Sequence, residues 1–116
     1  VDHEAELLKG NTQTLILAVL NDGPLHGYAI AREIERRSES GLKFRDGTLY
    51  PALQQLERQG LITGAWEPSE QKPPRKVYRM TPEGATELAR RLTAWRGFVR
   101  TIDRVLGDTL EAQGAS

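Results

Sequence analysis

The chain has 116 residues with 38% hydrophobic content, which suits one domain with a modest core. Sixteen basic and sixteen acidic side chains give a formal net charge of zero, so only the local placement of charge can speak for or against a polyanionic partner. Cysteine is absent, which excludes disulfides, thiolate catalysis and thiolate metal sites, and no apolar run approaches the length of a bilayer span. No basic-then-apolar signal segment is seen, so a cytoplasmic address is the expectation.

Residues 1–10 carry acidic side chains, His3 and the pair Leu7, Leu8, and read as an arm or a short helix. Gly10, Asn11 and Thr12 then supply a stop and an N-cap for Leu15-Ile16-Leu17-Ala18-Val19-Leu20, which is apolar on nearly every face and belongs at the centre of a core. Asn21-Asp22-Gly23-Pro24 breaks this helix, and Leu25 offers one or two extended residues. A second helix is predicted over about Tyr28 to Ser38, burying Tyr28, Ala31 and Ile34 and leaving Arg32, Glu33, Arg36 and Arg37 in water. His26, in the turn before it, reads as a capping or packing group, with a metal ligand or pH switch as the alternative; His3 has no partner in sight.

In the loop that follows, Leu42 and Phe44 are expected to tuck in while Lys43 and Arg45 face out. The third helix spans the stretch the chain is organised to hold. Leu49, Leu53 and Leu56 share one face, and Thr48, Tyr50, Gln54 and Arg58 point outward. Asp46 is expected as N-cap, Pro51 within about the first turn, and Gly60 as the left-handed residue that ends it. Hydroxyls near a helix N-terminus can donate to phosphate oxygens, and a glutamine can bridge the groove edge of an adenine. The same residues also suit any solvated amphipathic helix, so their context decides.

Two β-prone runs, Leu61 to Trp66 and Arg75 to Met80, flank a polar, proline-containing turn and predict a hairpin. Ile62 is expected opposite Val77, with Trp66 and Tyr78 nearby, and Lys72, Arg75 and Lys76 cluster at or beside the tip. Thr81-Pro82-Glu83 reads as N-cap, first helical proline and acidic first turn of a last, long helix. Its apolar positions Ala85, Leu88, Leu92, Trp95, Val99, Ile102, Leu106 and Leu110 alternate three and four apart almost throughout, the spacing of a coiled-coil seam. So small a chain offers that seam little to bury against, which predicts a dimer. Gly97 costs about 1 kcal/mol against alanine in mid-helix and points to a close backbone approach or a bend, and Gln113 to Ser116 are expected to fray.

An enzyme reading finds no support in these residues: neither histidine stands by a nucleophile, and no carboxylate pair or phosphate-cradling glycine loop is evident. No cofactor or metal is expected. Helix, short strand, helix, helix, hairpin, long helix is the element order of a winged helix-turn-helix, an α+β fold made mainly of helices. The chain closely resembles the PadR family of bacterial transcriptional regulators in Leu-Leu-Lys-Gly-Asn-Thr near the start, Asn-Asp-Gly-Pro-Leu-His-Gly-Tyr at 21–28, Gly-Thr-Leu-Tyr-Pro-Ala-Leu at 47–53 and Arg-Lys-Val-Tyr-Arg-Met-Thr-Pro-Glu-Gly at 75–84. The Pro73-Pro74 pair departs from the family's usual hairpin.

The resemblance implies a DNA-binding domain over residues 1–80, with the wing at 61–80, and a dimerisation helix with its tail over 81–116. It implies a homodimer on operator DNA, usually as a repressor. Residues and resemblance together assign phosphate contacts to Lys43, Arg45, Thr48 and Tyr50, base contacts to Gln54 and Thr48, and wing contacts to Lys72, Arg75 and Lys76. The expected interface is Leu88, Leu92, Trp95, Val99, Ile102 and Leu106. Some relatives bind a drug beside an aromatic of this helix, which makes Trp95 either a ligand-binding residue for a small-molecule effector or a filler of the seam. A winged helix serving as a protein-interaction module is the alternative function, since fold alone does not name a partner.

Overall fold

The computed structural model describes residues 10–68, 70 and 72–114, with side chains as far as residue 107; the expected N-terminal arm, His3 and the side chain of Leu110 lie outside this set. The elements run α1 (Thr12–Leu20), β1 (Leu25–His26), α2 (Gly27–Arg37), α3 (Asp46–Arg58), β2 (Ile62–Glu67), β3 (Arg75–Met80) and α4 (Pro82–Gly114). This is the element order expected from the sequence, and the fold is α+β.

Helix α1 is the hub. Ile16, Leu17, Val19 and Leu20 are all buried, and α2, α3 and α4 each pack against it. Ile30 and Ile34 of α2, Leu49, Leu53 and Leu56 of α3, Ile62, Tyr78 and Leu88 complete the core. Burying each such side chain contributes about 1.5–3 kcal/mol, and from so few of them the fold must draw its stability. Leu42 and Phe44 lean on the core from the loop, as expected, with Lys43 and Arg45 exposed.

Tyr28 is not buried. The helix starts one residue earlier than expected, its buried stripe is Gly27, Ile30 and Ile34, and Tyr28 is 66% exposed with the Arg32 guanidinium 5.7 Å over its ring. Helix α3 also begins differently. Arg45 takes the extended N-cap position and Asp46 is the first helical residue, its carboxylate in the first turn where the helix dipole favours it. Pro51 therefore falls in the second turn, where it withholds the amide that would bond the carbonyl of Gly47.

Gly60 ends the helix with φ of +73°, the left-handed conformation expected of it. The Leu61 amide reaches back to the Leu56 carbonyl at 3.0 Å. Thr81 caps α4, accepting from the Gly84 amide at 3.0 Å while its hydroxyl donates to the Gly60 carbonyl at 2.7 Å. One side chain thus ties the end of α3 to the start of α4. Gly84 is needed for that approach, because a Cβ there would lie 2.1 Å from the Leu61 carbonyl oxygen.

The three strands form one antiparallel sheet in the order β1-β3-β2. The hairpin register differs from expectation: Ile62 faces Met80, and Val77 faces Ala65. Opposing Ile62 to Val77 would have turned Tyr78 to the other face, whereas in the observed register Ile62, Gly64 and Trp66 share a face with Met80, Tyr78 and Lys76. Ile62 and Tyr78 then join the core with the helices, while Val77, also buried, lies on the opposite face. Helix α4, 33 residues and about 50 Å long, packs on the core through Leu88 and Leu92 and continues beyond it.

Candidate nucleic-acid interface

Helices α2 and α3 make the helix-turn-helix pair, and three leucines fix the rotation of α3 by going fully into the core. That rotation leaves Thr48, Tyr50, Gln54 and Arg58 exposed along the opposite side. Lys43 and Arg45 stand exposed before the first turn, and Lys43 Nζ lies 4.0 Å from a Glu35 carboxylate oxygen, too loose to hold it. The Tyr50 ring leans on the first turn of α2: a Cβ at Gly27 would sit 3.1 Å from the Tyr50 Cε1 atom. The half-exposed tyrosine is thus seated by a glycine, with its hydroxyl beside the N-terminus of α2. Thr48 stands exposed in the first turn of α3 and Tyr50 in the second, so hydroxyls accompany the helix's first backbone amides, groups suited to phosphate oxygens.

The wing brings up Arg75 and Lys72, both exposed. Glu67 and Glu70 are exposed on the same hairpin, so the tip is less basic than its cations alone imply. Glu67 turns toward β1, where its carboxylate lies 3.5 Å from His26 Nε2. His26 holds the N-cap position of α2 by backbone conformation, without a side-chain cap bond. Lys76 behaves differently from the other assigned cations. Its ammonium is 2.9 Å from Glu57 Oε1, its side chain is 29% exposed, and it lies 5.4 Å over the Tyr78 ring. The Glu57 hydrogen bond raises the lysine's pKa, while burial raises that of Tyr78.

On α4 the expected seam divides. Leu88 is 6% exposed and belongs to the chain's own core, Leu92 packs against that core, and Ala85 is exposed. Trp95 and Leu106 are partly exposed at 47% and 41%, with Val99 and Ile102 between them half-buried. Two residues the sequence reading passed over, Phe98 and Val105, are still more exposed and broaden the apolar row on one side. Phe98 stands 6.1 Å from Trp95, ring centre to ring centre. Both rings, with Leu15, Ala18 and Leu42, line a groove of about 620 Å³ between α1 and α4. A Cβ added at Gly97 would meet nothing within 4 Å beyond its own helix among the described residues. Among the described residues no group of three metal-ligating side chains gathers, and no helix is long and apolar enough to cross a membrane.

A three-helix core with a β-hairpin wing and a long terminal helix defines the winged helix-turn-helix class. The chain belongs to the transcriptional regulator PadR-like family, whose pattern matches residues 16–90. The transcriptional regulator Rv3488 of Mycobacterium tuberculosis is 32% identical over 81 residues, 70% of this chain and 72% of that one. A PadR family transcriptional regulator from Eggerthella lenta superposes with a TM-score of 0.76 at 33% identity, covering 87% of this chain and 86% of its own. A transcriptional regulator from Clostridium thermocellum gives 0.79 at 27% identity, with 85% and 96% covered. The protein is accordingly a transcriptional regulator rather than an enzyme.

Proposed function

We propose that the protein binds double-stranded operator DNA as a homodimer and represses transcription by occupying the site, in the cytoplasm where the chromosome lies. The observation that carries this reading is the exposed polar side of α3, Thr48, Tyr50, Gln54 and Arg58, flanked by Lys43 and Arg45 and backed by three buried leucines. In the major groove, Gln54 and Thr48 reach base edges, Tyr50, Lys43 and Arg45 hold phosphates, and Arg75 and Lys72 of the wing contact the neighbouring backbone. Residues as far as 80, together with the Leu88 turn of α4, serve as the DNA-binding unit, and the remainder of α4 pairs the subunits.

The apolar row from Trp95 to Leu106 supports the pairing, because one subunit leaves these side chains in water. Trp95 belongs to that row and also lines the groove against α1, so a planar apolar effector bound there would touch both the interface and the DNA-binding core. A protein-interaction module is the second reading, which zero net charge leaves open. Selection of bound duplexes from a random pool at two salt concentrations separates the two. A DNA regulator yields a near-palindrome with half-sites about 34 Å apart, and its affinity falls with a log-log salt slope of about −0.9 per phosphate contact. A pool that stays random, with salt-insensitive binding of a protein partner, selects the second reading.

A further inference from the structure

We infer that Lys76 and Glu57 form a strut that sets the wing against the reading helix, and that Lys76 is a positioning residue rather than a phosphate ligand. The inference rests on the DNA-binding reading above and changes the role of one of its residues. Three independent features of the structure build the strut. Glu57 leaves the last turn of α3 and meets the Lys76 ammonium at 2.9 Å, each side chain less than a third exposed. The lysine runs over the Tyr78 ring, which is itself part of the core. Gly64, the cross-strand partner of Tyr78, leaves a notch for it: a Cβ at 64 would stand 2.4 Å from Lys76 Cε and 3.2 Å from Glu57 Oε2.

An ammonium so engaged presents no net charge to a phosphate, since the carboxylate beside it cancels the field it would exert. What it does present is a fixed contact between the end of α3 and the outer part of the hairpin, whose inner part is already held by Ile62 and Tyr78 in the core and by pairing with β1. With the strut in place, Arg75 and Lys72 are held at one offset from Gln54. Without it, the outer part of the hairpin, beyond the packed Ile62 and Tyr78, shifts against α3 and the wing cations leave the backbone they serve.

The test uses Glu57→Gln, Lys76→Gln, the double variant carrying both, and the exchanged pair Glu57→Lys with Lys76→Glu in the full chain, with binding to the selected duplex measured at a temperature where circular dichroism shows every variant folded. A strut predicts that both single variants weaken binding, each on the order of fivefold, and that their effects do not add. The exchanged pair recovers to within about threefold of the wild type, although position 76 is then acidic. A phosphate ligand predicts the reverse signs: Glu57→Gln frees the lysine and tightens binding, and the exchanged pair binds worst of all. Either that pattern or unchanged binding in all four variants overturns the strut. Should the wild-type protein bind no duplex even in dilute salt, the DNA reading itself falls. The strut is then judged by the unfolding midpoints alone, and additive effects of the two single variants would refute it.

Discussion

Gln54 is exposed midway along α3, and the glutamine amide is the group on that side best shaped to bridge an adenine edge. Gln54→Ala is expected to relax the preference at one base position per half-site, by about 1–3 kcal/mol, while the rest of the selected sequence stays the same. Repeating the selection with the variant checks this, and an unaltered preference removes Gln54 from the base contacts. Gly60 invites a stability prediction. At φ of +73° an alanine is strained, so Gly60→Ala is expected to cost about 1–2 kcal/mol, read as a lower urea midpoint with an unchanged slope. Most individual exposures could be read from the sequence, Thr48, Gln54, Lys43 and Arg45 among them. Tyr28 was misread because the buried stripe runs through Gly27, Ile30 and Ile34, and at 3.6 residues per turn Tyr28 stands about 200° from Ile30, on the solvent side. Lys76 was hidden for another reason: its partner Glu57 is nineteen positions away, and only the hairpin register brings the two together.

Among the elements, the end of α3 and the start of α4 were the most legible, since Thr81, Pro82 and Gly60 act through local backbone chemistry, whereas α2 and α3 each begin one residue before the expected position. Hairpin register was the least legible. It is decided by which strand residues must meet the helices, and Val77 and Tyr78 are both hydrophobic enough to be candidates. Ion pairing within the helices has a pH consequence. Glu87 accepts hydrogen bonds from Arg90 and Arg91, which lower its pKa from 4.5 to about 2, and Arg91 also donates to Gln13 of α1 at 3.1 Å. A carboxyl whose folded pKa is depressed contributes stability that is complete above 4.5 and lost as pH falls toward about 2. Glu33, held by Arg36 and Arg37, follows the same course. Glu87→Gln is therefore expected to flatten the decline in stability within that window and to change little near neutral pH. Urea midpoints measured across the window check it, and an unchanged acid limb would show that Glu87 plays no part in it.

For the molecule as a whole, the seam spacing on α4 pointed to a partner, but the spacing alone could not tell which of its residues serve the chain's own core. Leu88 does, because the first two turns of α4 lie over α1 and β3. The exposed remainder, with Phe98 and Val105 added, is the face we assign to a second copy. Phe98→Asp leaves the single chain's core untouched and is expected to yield monomers by sedimentation, with operator affinity lower by on the order of a hundredfold as the second half-site is lost. A variant that remains dimeric would move the interface elsewhere. The account turns on paired reading helices addressing one duplex from the same side, and a hydroxyl-radical footprint on the selected sequence measures that arrangement directly. It should show two protected patches related by a dyad and separated by about 34 Å, the pitch of one turn. A single unsymmetrical patch, or none at low salt, would contradict it.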